Sequence, residues 1–293
     1  QFLALALAVA ASPALVACGG KSATSLKPVQ INPEGEIKPR EISWLLSRAA
    51  NGAVINTMQE IAEEYAKDHK GFKLTLITTP DRPSYIQKYE TLAAANKLPE
   101  LFDTDATPFA QKLAKQNRMV DVAALLNDLG ITDSFRKAAL DYQRFDDGSL
   151  YMIPLEYGIE VFWYNKALFE AAGAEVPRSL DDFPELCRKL AASGVTPIAL
   201  DGLDGWPLER YVAFYPFRME GEDYIKKLKK GEAAFADEPG KKMAQWLHDL
   251  GEAGAFQKGF SSVGYTDAQN LFTSGKAAMY CMGTWELPSL ATT

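Results

Sequence analysis

The segment Lys276–Leu290 reads "KAAMYCMGTWELPSL". Its run Ala277–Met282 is apolar and of strand length, so it reads as a buried strand, with Met279 and Cys281 or their neighbours supplying the inward side chains. Gly283 is expected to bend the chain at the strand's end. Thr284, Trp285 and Glu286 would then emerge together. The question is whether the Trp285 indole completes a core or is presented to a ligand. A single tryptophan at a strand end fits a half-buried core position at least as well as a binding site.

Upstream of this strand, short apolar runs alternate with helical patterns. "EISWLLS" (41–47) and "FKLTLITT" (72–79) read as strands, the second ended by Pro80 and Pro83. Between them, Val54, Met58, Ile61, Ala62 and Tyr65 recur at the period of an amphipathic helix. "LFDTD" (101–105) is a short strand, and Pro108 opens a further helix. The pattern restarts after Asp146. "SLYMIPLEYGIEVFWYN" is extended, with Pro154 arguing against one uninterrupted central strand. "KALFEAAG" is a helix capped by Asn165 and stopped at Gly173. Ser179 and Asp182 have capping-box spacing. "VTPIAL" is a strand; "WPLERYVAFYPFRM", "KKMAQWLHDLGEAG" and "DAQNLFTSG" are helices. Such alternation predicts an α/β architecture with mainly parallel sheets, dividing near residue 153 into two halves.

The 293 residues carry a net charge of −7, with 24% charged and 47% hydrophobic residues. This is not the basic footprint of a nucleic-acid binder. The one lysine run, "KKLKK" (226–230), has Asp223 and Glu232 beside it and reads as a solvated helix face. Residues 1–17, "QFLALALAVAASPALVA", carry no charge and match the apolar part of a secretory signal. The run ends in "LVACGG" (15–20), and the polar stretch from there to residue 40 has tether composition. Cys187 and Cys281 are expected to be buried free thiols.

Catalytic signatures are sparse. Gly-x-Ser-x-Gly, His-Glu-x-x-His and phosphate-loop patterns are missing. "SFRK" (134–137) matches Ser-x-x-Lys without its companion motifs. The two histidines, His69 and His248, offer no zinc-type ligand pair, and no cofactor is expected. Carboxylates such as Glu156 and Glu160 leave a glycoside-processing enzyme open as an alternative.

Aromatic residues beside polar ones recur at strand ends, where open α/β sheets bind ligands. Trp44 is followed by Ser47, Arg48 and Asn51. Asp103 and Asp105 end one strand, and Glu156 and Tyr157 stand where the halves meet. Asp204 and Trp206 lie in one loop; Trp285 and Glu286 end the last strand. An indole packs against the C–H face of a sugar ring while carboxylates, amides and guanidinium groups satisfy its hydroxyls, so the convergence suggests a saccharide site.

Several blocks together are similar to the bacterial extracellular solute-binding proteins, family 1, of ABC importers. They are "LVAC", "LPELFDTDATPFAQKLAKQNRMVDV" (98–122), "YMIPLEYGIEVFWYNKALFEAAGAEVPRSLDDF" (151–183), "GVTPIALDGLDGWPLE" (194–209) and "FTSGKAAMYCMGTWEL" (272–287). The resemblance implies a two-lobed fold of the type II periplasmic-binding-protein kind, closing by a hinge on a carbohydrate and delivering it to membrane permease subunits, without catalysis. Residues 1–17 would be the signal peptide and 18–40 a lipidated tether, with Cys18 holding the protein to the outer face of the bacterial cell membrane. Residues 41–153 and 154–293 would be the two lobes. By analogy, Trp44, Arg48 and Asp105 would face the ligand from the first lobe, Trp206, Trp285 and Glu286 from the second, and Glu156 and Tyr157 from near the hinge. Family members normally run further and return to the first lobe, so a fragment is expected, lacking its C-terminal part and the initiator methionine.

Overall fold

The computed structural model describes residues 40–47, 53–79 and 82–291. Residues 1–39, which hold the expected signal run, Cys18 and nearly all of the expected tether, lie outside the described residues, as do Arg48, Asn51 and Pro80. Described residues within Thr104–Leu155 form one compact unit; those within Pro39–Asp103 and Glu156–Thr293 form the other.

The first segment of the larger unit runs β1 (Glu41–Leu45), α1 (Ala53–Asp68), β2 (Lys73–Ile77), α2 (Arg82–Ala94) and β3 (Leu101–Phe102). The strands form a parallel sheet in the order β2-β1-β3, as strand–helix alternation predicts. The buried side of α1 is turned by about one position from the expected face. Ile55 is fully buried, whereas Ile61 is exposed. Ile55, Met58, Ala62 and Tyr65 still follow the helical period, so the shift changes which residues bracket the stripe and not the stripe itself.

The smaller unit contains α3 (Pro108–Lys115), α4 (Val122–Asp128) and α5 (Lys137–Tyr142). Thr107 and Asp121 cap α3 and α4 through backbone amides three residues on. Val122, Leu126, Leu140 and Leu150 pack together. Asp147 and Gly148 turn the chain between bridged Arg144 and Leu150, and Gly148 has the positive φ that favours glycine there.

The remaining elements are β4 (Glu160–Tyr164), α6 (Lys166–Ala171), α7 (Phe183–Ala192), β5 (Thr196–Ala199), α8 (Trp206–Glu220), α9 (Tyr224–Lys230), α10 (Glu238–Glu252), α11 (Tyr265–Thr273), β6 (Ala277–Gly283) and α12 (Leu287–Leu290). The sheet order is β4-β6-β5. β5 pairs with β6 in parallel and β4 pairs with it antiparallel, so among the described strands three of four pairings are parallel, in keeping with the mainly parallel expectation, and β4 is the exception. Alternation fixes direction only for strands joined by a crossover; an edge strand such as β4 is free to reverse.

β6 is the middle strand and every residue in it is buried. From Met279 onward its side chains alternate between two cores, as strand geometry requires. Met279 and Cys281 join Cys187, Leu190, Ile198, Tyr211, Trp246 and Leu250. Tyr280 and Met282 join Ala199, Ala268 and Phe272, with Trp163 and Trp206 at the margin. Each large side chain removed from water there contributes roughly 1.5–3 kcal/mol. Local signals read from sequence are present in place: Asn165 caps α6 through the Leu168 amide, Gly173 follows α6 with positive φ, and Asp182 accepts from the Ser179 amide. Cys187 and Cys281 are buried free thiols, and burial pushes both up to about 12.

Candidate ligand-binding site

β6 delivers the chain into a turn of 3-10 helix, Thr284–Glu286, and then α12. Gly283 has ordinary extended geometry, so it does not bend the chain through a glycine-only conformation. Its lack of a side chain has another use. A Cβ there would fall 2.0 Å from the Trp285 ring. The indole therefore folds back over the strand's last residue, with 40% of Trp285 left exposed.

Two more rings complete an aromatic platform. Trp206, the first residue of α8, lies 6.2 Å from Trp285 between ring centroids, at 53°. Tyr265, the first residue of α11, stacks on Trp206 at 6.2 Å and 29°. Three separate elements thus present rings at their starts or ends. Gly205, at φ 79°, turns the preceding loop into α8 and so sets where Trp206 begins. The Arg210 guanidinium sits 5.2 Å from the Trp206 ring centroid and is ion-paired with Glu160 of β4. That contact combines cation–π attraction with charge neutralisation and leaves a polar rim beside the rings.

Beneath the platform is a hydrogen-bonded carboxylate. Trp285 Nε1 donates to the Tyr265 hydroxyl at 3.1 Å. That hydroxyl in turn donates to Glu286 Oε1. Gln269, one turn further along α11, donates its amide to Glu286 Oε2 at 2.5 Å and also reaches Ser289 Oγ at 3.3 Å. Glu286 itself is 1% exposed. Burial pushes its carboxyl up to about 7. The expectation that Trp285 and Glu286 emerge together is corrected here. The 3-10 turn sends consecutive side chains in different directions, and the carboxylate points inward, where α11 supplies donors.

The remaining expected positions divide. Trp44 is 8% exposed, with Nε1 donating to Asp103 Oδ1 at 2.9 Å. Asp103 Oδ2 accepts from the Ser47 amide at 2.9 Å and its hydroxyl at 2.8 Å. The indole expected to face a ligand is instead a core side chain that pins the exit of β1. Arg48 is outside the described residues. Asp105 is exposed and belongs to the smaller unit. Glu156 and Tyr157 are exposed and lie just before Gly158. A Cβ on Gly158 would meet Thr284 Oγ1 at 2.4 Å, so that stretch of backbone runs against the turn carrying Trp285.

Tyr265, Gln269 and Arg210 were not among the expected site residues. Tyr265 and Gln269 are spaced i, i+4 on one helix face, which was readable. Their relevance depends on which way Glu286 points, and strand-end reasoning does not supply that.

A family model described as bacterial extracellular solute-binding protein matches residues 50–290. The chain belongs to this family. A solute-binding relative, the multiple sugar-binding protein of Streptococcus mutans, is 30% identical over 146 residues, covering 48% of this chain and 35% of its own. An uncharacterized ABC transporter extracellular-binding protein of Pyrococcus horikoshii is 26% identical over 248 residues, covering 80% of this chain and 55% of its own. A solved structure from work on xylan utilization by Caldanaerobius polysaccharolyticus superposes with a TM-score of 0.71 at 27% identity, covering 85% of this chain and 63% of that one. The solute-binding chain has the periplasmic-binding-protein type of α/β fold, and it spans about half the length of the curated relatives it matches.

Proposed function

We propose that this solute-binding chain serves as the extracellular carbohydrate receptor of an ABC importer, taking up a sugar or oligosaccharide and passing it to membrane permease subunits. The observation that carries the reading is the platform of Trp206, Tyr265 and half-exposed Trp285, edged by Arg210 and Glu160. Rings at these angles match the C–H faces of linked pyranoses, and the charged rim matches their hydroxyls. The sugar-binding name of the Streptococcus relative supports the same ligand class.

Cys18 carries a lipid that holds the receptor at the outer face of the cell membrane. Residues 41–153 and 154–293 act as lobes that close on the solute, a motion documented for this class. Arg48, Asp105, Glu156 and Tyr157 add polar and aromatic contacts. Glu286 acts from beneath the rings.

A thermal-shift panel of mono- and oligosaccharides tests the reading. A true ligand at about 100 times its Kd should add ~2.7 kcal/mol to stability. No shift with any sugar, or release of hydrolysed product, would sink it.

A further inference from the structure

We infer that Glu286 is a positioning residue whose ionised carboxylate, acting through Tyr265, holds the Trp285 indole in its binding orientation, so that ligand affinity rises with pH. The inference rests on the saccharide reading for its ligand, while the relay itself concerns Trp285, Tyr265 and Glu286 alone.

The geometry is a relay of three groups. Trp285 Nε1 gives its hydrogen to the Tyr265 oxygen, and the Tyr265 hydroxyl gives its own to Glu286. The second carboxylate oxygen is taken by Gln269. An ionised carboxylate accepts at both oxygens, which is what the two donors require. A protonated one has a hydrogen to place, and both neighbours already donate to it. The Tyr265 oxygen is the acceptor at hand, and it is the atom that receives Trp285. Protonation therefore sets Glu286 and Trp285 in competition for one oxygen, and the half-exposed indole is the freer to leave.

Glu286 is faced from α11 by Tyr265 and Gln269, while Ser289 of its own following turn shares the Gln269 amide. None of these is charged at neutral pH. The nearby charged pair, Arg210 and Glu160, engages Trp206 instead. Burial is thus what raises the Glu286 carboxyl to about 7, where the competition falls within the range an extracellular protein meets.

The test follows the Trp285 indole N–H resonance in the ligand-free chain from pH 5 to 9, assigned with Trp285→Phe. The expected result is a titration with a midpoint near 7 that disappears in Glu286→Gln, a neutral side chain that keeps an acceptor for Tyr265. Tyr265→Phe, which deletes the bridging oxygen, should leave the resonance at a solvent-like position at every pH. In parallel, affinity for a sugar identified by the panel should fall about tenfold from pH 8 to pH 5.5 and become flat in Glu286→Gln, in line with a hydrogen bond to a charged group. A resonance that titrates identically in Glu286→Gln, or that keeps its wild-type position and titration in Tyr265→Phe, overturns the inference. If the ligand-free titration behaves as expected while no sugar binds, the saccharide reading fails and the relay stands. If sugar binds with the same pH profile in wild type and Glu286→Gln, the relay fails and the saccharide reading stands.

Discussion

The ends of β1 and β6 each set a tryptophan near a carboxylate, and the two pairs are turned inside out relative to one another. At β1, the indole of Trp44 is buried and Asp103 bonds both it and Ser47, closing the loop. At β6, the carboxylate of Glu286 is buried and the indole of Trp285 lies half in water. Both indole N–H groups are satisfied, so hydrogen bonding alone does not separate them. The difference lies in what the ring replaces. Trp44 is part of a strand and inherits the strand's inward direction. Trp285 follows β6, on a turn, over a glycine that vacates space for it. A tryptophan within a strand fills a core; one placed after the strand, with a small residue beneath, is available to a ligand.

The largest effect that would break this contrast is at β1. Trp44→Ala should destabilise the fold by ~3–5 kcal/mol, the range for deleting a large buried aromatic, measured by urea denaturation. Trp285→Ala should weaken sugar affinity by roughly 1–3 kcal/mol in calorimetry while its unfolding midpoint hardly moves. If the two variants exchange phenotypes, the assignment of core and platform is reversed. A smaller effect separates the two carboxylates. Between its ordinary value near 4.5 and about 7, Glu286 keeps its proton in the native state after the unfolded chain has lost it. Stability from this group is therefore fully present at low pH and is lost as pH rises through about 7, by ~1–2 kcal/mol given that the Tyr265 and Gln269 donors offset part of the burial penalty. Comparing urea unfolding at pH 5 and 8 in wild type and Glu286→Gln isolates that slope. The smallest change sharpens the role of the glycine. Gly283→Ala should push the indole outward, weakening binding by roughly 1 kcal/mol with little loss of melting temperature, because the ring that must move is partly in solvent.

Much of this was legible beforehand, for identifiable reasons. The apolar run Ala277–Met282 could only be a buried strand, and the Asn165 and Ser179–Asp182 caps depend on neighbours three residues apart. Trp206 and Trp285 were readable as a pair because each follows a strand-end loop. What was not legible were directions set by tertiary partners. The reversal of β4 depends on which edge of the sheet remains available. The inward turn of Glu286 depends on α11 offering Tyr265 and Gln269 from about twenty residues upstream. Trp44 misled because its sequence surroundings, with polar residues just downstream, match those of Trp285; only the Asp103 partner, brought in by β3, tells them apart.

The complete burial of β6 has a consequence for how the site tolerates disturbance. Its amides are bonded to strands on both sides and its side chains lie in two cores, so they should exchange with deuterium only through global opening, whereas the Thr284–Glu286 turn exchanges by local fraying. Trp285 is thus mounted on the slowest-opening part of the sheet but is not itself part of it. Rings at the strand's end can be traded for others, changing which solute is favoured, without drawing on the free energy that keeps the sheet closed.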